Sequence, residues 1–117
     1  MNPMAEVAEP LVWDASVLGA LFGNDAAVIA ALERTFEDSV RAALAEAEAA
    51  AQAQQADALR AIAHRIKGAA RMSGALALGQ AAEVLERQPV SAGPVELIQA
   101  LAAVQTEWLR VLRRARD

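Results

Sequence analysis

The chain has 117 residues, a formal net charge of −4, one histidine and no cysteine. That length suits one domain with a single modest core, and the acidic balance argues against nucleic acid as the main partner. The absence of cysteine excludes disulfides and thiolate chemistry and, with a single histidine, leaves no basis for a zinc or haem site.

Residues 1–12 read as an N-terminal tail, with Pro3 and Pro10 interrupting any early helix, and residues 13–117 as one helical-bundle domain. The N-terminal residues lack the basic start and apolar run of a secretory signal. No stretch reaches the roughly 18 uninterrupted apolar residues of a membrane span. A soluble, cytoplasmic chain is expected. Abundant Ala and Leu, with few aromatic residues, favour helix throughout.

Asp14 suits the N-cap of a short helix through about Phe22, with Val17, Leu18 and Leu21 as its apolar face. Gly23 suits a C-terminal cap, and Asn24 or Asp25 caps the next helix. That second helix is long, from about Ala26 into the low 50s, and carries Ile29, Leu32, Phe36, Val40, Ala43, Leu44 and Ala47 as its inner stripe. The Ala- and Gln-rich segment 45–58 favours helix but hides the break that must lie within it. A third helix across 59–73 places Leu59, Ile62, Ala63, Ile66, Ala70 and Ser73 inward. Gly74 suits a left-handed cap that reverses the chain. The fourth helix, about Ala75 to Arg87, turns Leu76, Leu78, Ala82 and Leu85 inward and is stopped by Pro89. The fifth, roughly Val95 to Arg114, is expected to pack with Ile98, Leu101, Ala102, Val104, Trp108, Leu109 and Leu112. Its basic end, Arg110, Arg113, Arg114 and Arg116, complements the helix dipole. These elements make an all-α, up-and-down antiparallel four-helix bundle with a short additional N-terminal helix as a lid.

The third helix holds the chemistry. On its outward face lie Arg60, His64, Lys67, Gly68 and Arg71, and no acidic residue occurs between Asp57 and Glu83. A local positive patch around the one histidine is therefore expected. Imidazole has a reference pKa of roughly 6.5, so near neutral pH most molecules keep a free lone pair without a helper base. That combination points to His64 as a phosphoryl acceptor. Lys67, one turn on, can reach phosphoryl oxygens. Gly68 sits at i+4 from the histidine; mid-helix glycine costs on the order of 0.5–1 kcal/mol relative to alanine, and its placement leaves room for a partner to approach. Gly74 lies ten residues past His64, roughly 15 Å of helix, and the same distance back along the fourth helix lands near Glu86. Its carboxylate is placed to accept from His64 Nδ1–H, which would leave Nε2 as the nucleophile. The cations oppose the imidazolium and this carboxylate favours it, so the two influences on the ring counter each other.

At these residues the chain resembles the histidine-containing phosphotransfer (HPt) domains of two-component phosphorelays. Their A-H-x-L-K-G core, with small residues, a hydrophobic residue, G-A and a later L-E, reads here as AHRIKGAARMSGA (63–75) and VLE (84–86). LGALFGND and Phe36 match the upstream pattern, and the likeness covers roughly residues 14–112. Ile66 stands for the commoner Leu, Ala69 and Ala70 for frequent Ser, and Ser73 for a Leu-like residue. None of these changes removes a functional group from the histidine face. The resemblance implies that His64 is phosphorylated, that Lys67 supports the phosphoryl group and that Gly68 permits close docking. Glu86 stands where relatives often carry Gln or another polar residue.

It further implies a phosphoryl carrier without kinase activity, whose partners are receiver domains of a hybrid kinase or response regulators. The chain would need no cofactor of its own, Mg²⁺ coming with the receiver. A monomer that binds neither nucleic acid nor membrane is expected. Leu11, Val12, Leu21 and Val28 are candidates for the docking surface. Two other readings fit the same residues. One is a helical adaptor that binds a receiver or another signalling protein without being phosphorylated. The other is the phosphotransfer domain of a chemotaxis-type kinase, which further kinase domains would normally follow.

Overall fold

Capping chemistry and left-handed turns set the helix boundaries in a computed structural model that describes residues 9–114. Five helices appear: α1 (Ser16–Phe22), α2 (Ala26–Gln52), α3 (Ala56–Ser73), α4 (Leu76–Glu86) and α5 (Pro94–Leu112). No strand occurs among the described residues. The Asp14 carboxylate accepts from the backbone N–H of Ser16 at 3.0 Å and from its hydroxyl at 2.6 Å, which holds its carboxyl below the usual range. Helix α1 therefore begins two residues beyond Asp14, with Ala15 at the N-cap position. Gly23, at φ 86°, ends it. Asp25, not Asn24, caps α2, its Oδ1 accepting from Ala27 and Val28 N–H.

The break inside the low-complexity segment falls at residues 53–55. Gln54 takes φ 57°, its N–H donates to Ala51 O, and Gln55 N–H donates to Ala50 O. That pair of bonds is a Schellman closure, built here on glutamine where glycine is usual. Gly74, at φ 105°, closes α3. A β-carbon there would sit 2.3 Å from Asp14 O, so both the backbone angle and a close approach require glycine. The approaching segment is bonded in place: Asp14 N–H donates to Gly74 O at 2.7 Å, and Ala77 N–H to Leu11 O at 2.9 Å. Of the expected tail, residues 1–8 lie outside the described residues, as does Arg116. Leu11 is hydrogen-bonded across the α3–α4 corner, and Val12 packs on the core.

Short connections lay α3 between α2 and α4, and α5 on α4 with its far edge against α2; α1 leans on α2 and α3. This is the expected bundle with its short extra helix. Phe36, Val40, Leu59, Ile66, Leu78, Leu85, Val104 and Trp108 fill its core. Two faces differ from expectation. In α1 only Leu18 is buried, and Leu21 is 57% exposed. In α5 the buried stripe is Leu97, Ala100, Leu101, Val104, Trp108 and Val111, while Ile98, Ala102 and Leu109 lie exposed. Spacings of 4, 3, 4 and 3 from Leu97 to Val111 form an uninterrupted apolar seam. The rotated alternative through Ile98 and Leu109 is broken by Gln105, so burial of Trp108 selects the first.

Candidate functional site

Helix α3 buries the six residues expected of it, Leu59, Ile62, Ala63, Ile66, Ala70 and Ser73. That register turns His64 outward, with its side chain 67% exposed. Lys67 follows one turn later with its side chain only 17% exposed, its alkyl stem lying along the protein. A β-carbon built on Gly68 would meet nothing within 4 Å, so the surface beside the histidine is open. Glu86, at the last turn of α4, reaches back to both. Its Oε2 lies 2.5 Å from His64 Nδ1, and its Oε1 accepts from Lys67 Nζ.

One carboxylate thus holds an imidazole and an ammonium. The hydrogen bond from Lys67 holds the Glu86 carboxyl below its ordinary range, against the opposing effect of desolvation and with further help from His64. An ionised carboxylate only accepts, so the proton in the short contact belongs to Nδ1. In the neutral ring Nε2 then carries the lone pair. Nε2 takes no partner among the described residues. The site can therefore offer an oriented, unprotonated nitrogen on an open surface, with an ammonium one turn away.

The expected positive patch is neutralised. Arg60 donates to Asp57 Oδ1 and to the carbonyls of Gln88 and Pro89. Arg65 donates to Glu46 of α2 at 2.9 Å, and Arg71 lies 3.3 Å from Glu83 of α4. Each of the four cations, Lys67 included, meets a carboxylate. The stretch without acidic residues is filled in space from the neighbouring helices, which no count along one helix would reveal. Among the described residues no cluster of His, Cys, Asp or Glu is arranged to hold a metal ion.

Between α1, α2 and the C-terminal end of α3 runs a shallow apolar groove lined by Leu18, Phe22, Leu32, Phe36, Ala69 and Met72. Phe22 and Met72 are exposed, with Leu21 and Val28 nearby in sequence also exposed. Of the four docking candidates, Leu11, Leu21 and Val28 are exposed and Val12 is half-buried. Phe22 and Met72, exposed beside them, are not among those candidates. The signal for Met72 was available, since it lies eight residues beyond His64 and shares its outward face.

The Hpt domain family model matches residues 31–115. The chain belongs to the Hpt domain family. Such domains are phosphocarrier modules of histidine phosphotransfer in two-component signalling, and they interact with receiver domains. The family match spans most of α2 and all of α3, α4 and α5, so His64, Lys67, Gly68 and Glu86 all lie within it. Residues 14–30, where the likeness had been expected to begin, lie outside. Comparison with curated proteins and with solved structures finds no match. Among the described residues, no single helix of this Hpt domain is long and apolar enough to cross a membrane.

Proposed function

We propose that His64 accepts a phosphoryl group from the aspartyl phosphate of one receiver domain and passes it to the aspartate of another. The observation that carries this reading is the divided imidazole: Nδ1 is held by Glu86, while the exposed ring leaves Nε2 without a partner among the described residues. In the loading step the Nε2 lone pair attacks phosphorus, the P–O bond to the receiver's carboxylate breaks, and that carboxylate leaves with the electron pair. The Nδ1 proton stays against Glu86. Onward transfer is the reverse reaction on a second aspartate.

Catalysis here consists largely of in-line positioning and charge compensation. Lys67 compensates the incoming oxygens by releasing Glu86, which leaves the carboxylate to the imidazole. Gly68 admits the receiver's loops, and the apolar surface of Leu21, Phe22, Val28 and Met72 supplies docking contacts. The receiver brings the Mg²⁺, and the chain has no cofactor and no kinase activity of its own. It works as a cytoplasmic monomer.

The test is incubation with a phosphorylated receiver and Mg²⁺. Label appears on the wild-type chain and is absent from His64→Gln. A mutant that still takes label would overturn the assignment. A wild-type chain that binds the receiver but takes no label would favour the adaptor reading.

A further inference from the structure

Glu86 faces a second problem once the histidine is loaded, and that problem rests on the carrier reading above. When the Nε2–P bond breaks, its electron pair returns to Nε2. If Nδ1 holds its proton, the departing ring is a neutral imidazole. If Nδ1 has lost it, the ring would have to leave as an imidazolate anion, a far poorer leaving group. The carboxylate 2.5 Å from Nδ1 bears directly on which form exists. An acceptor-only group pairs with Nδ1–H and repels a bare Nδ1 lone pair.

We propose that Glu86 keeps Nδ1 protonated in the phosphorylated state, and so holds the phosphohistidine in its transferable form as pH rises. The charged groups around the ring permit this. From α4 comes Glu86 itself; Glu83 there is engaged with Arg71 and Arg87. From α3 come Lys67 on the same carboxylate, Arg60 held by Asp57 and two carbonyls, and Arg65 held by Glu46 of α2. Among the described residues only Glu86 hydrogen-bonds the ring. Lys67 shares that carboxylate in the free protein. An arriving phosphoryl group competes for the ammonium, which turns more of the carboxylate's charge toward Nδ1–H at the moment it is needed.

Glutamine at this position would behave differently. Its amide accepts from a protonated Nδ1 through oxygen and donates to a bare Nδ1 through nitrogen, so it suits both forms and selects neither. Glu86→Gln is therefore the informative variant: shape and a hydrogen bond persist, and the preference is lost.

The full-length chain is loaded with potassium phosphoramidate, which needs no receiver. In that step the Nε2–P bond forms, the donor's P–N bond breaks and ammonia leaves. Loss of phosphohistidine is then followed by ³¹P NMR from pH 6 to pH 9.5, with the ring nitrogens read by ¹H–¹⁵N NMR. In both chains the rate falls with rising pH by about tenfold per unit above the deprotonation midpoint of the loaded ring. That midpoint lies about one pH unit higher in the wild type than in Glu86→Gln, the scale of one charge-assisted hydrogen bond. Between the two midpoints the loaded wild type carries the larger Nδ1–H population. Glu86→Asp, which keeps the charge but withdraws it by a methylene, falls between them, and serves equally should the glutamine variant fail to fold. Superimposed profiles and identical ring shifts would overturn the inference while leaving the carrier reading intact. Absence of phosphoryl on wild-type His64 would overturn both.

Discussion

Gly68 is the residue whose two effects have opposite signs. It lies within α3 at a fully open position, where nothing in the protein requires glycine. Gly68→Ala is expected to stabilise the fold by about 0.5–1 kcal/mol, and thermal unfolding should shift upward by a few degrees. Gly68→Gln should keep most of that gain, yet slow receiver-dependent labelling by about tenfold or more, because its side chain occupies the approach to Nε2. A glutamine variant that is both more stable and fully active would show that the opening has no docking role. His64, Lys67 and Gly68 were legible because helical period alone fixes which residues share a face. Glu86 was legible because helix rise measures the way down α3 and back up α4. The carboxylates opposite Arg65 and Arg71 were not, since they arrive from α2 and α4 at distances set by packing.

At the scale of the elements, two turns in left-handed conformation make a contrasting pair. Gln54, at φ 57°, sits where a β-carbon is unfavourable and glycine is free. Gln54→Gly should stabilise the α2–α3 turn by about 0.5–1 kcal/mol. Gly74 combines φ 105° with Asp14 O only 2.3 Å from where a β-carbon would stand. Gly74→Ala should cost about 2–3 kcal/mol, because it strains the turn and pushes the Leu11–Asp14 segment off the α3–α4 corner. Denaturant unfolding of both variants checks the signs; a neutral Gly74→Ala would mean that segment contributes nothing to the fold. The first turn escaped the sequence reading because a run of Ala and Gln carries no glycine or proline to mark it. In α5 the expected Leu101, Val104 and Trp108 are buried, whereas Ile98, Ala102 and Leu109 form a second apolar stripe that stays exposed. Gln105 interrupts that second stripe, and the unbroken seam from Leu97 through Leu101, Val104 and Trp108 to Val111 is the one buried.

Across the whole molecule, the reading of Arg114 as a helix-dipole cation captured one of its contacts. Its Nη1 donates to Val111 O at 2.7 Å, one of the last carbonyls of α5. The guanidinium also lies 3.9 Å from the centroid of the Trp13 ring and within 3.3 Å of Glu37 and 3.6 Å of Glu33. With its side chain only 6% exposed, it ties the N-terminal segment, α2 and the end of α5 into one cluster. Trp13 continues that cluster onto Phe36 at 5.7 Å, and Phe36 onto Trp108 at 6.0 Å. Nothing in the sequence brings residues 13, 33, 37 and 114 together. The proposed site lies elsewhere: His64, Lys67 and Glu86 all belong to the α3–α4 hairpin, whose two helices pack closely and close through Gly74. Stability and chemistry should therefore separate. Arg114→Met keeps the alkyl stem but removes the ion pairs to Glu33 and Glu37 and the cation–π contact, for a loss of about 2–3 kcal/mol. Thermal unfolding should fall accordingly, while labelling of His64 well below the new midpoint stays within about twofold of wild type. A large loss of labelling in a chain that remains folded would mean that the α2–α5 side also shapes the histidine site, and that the hairpin does not position it alone.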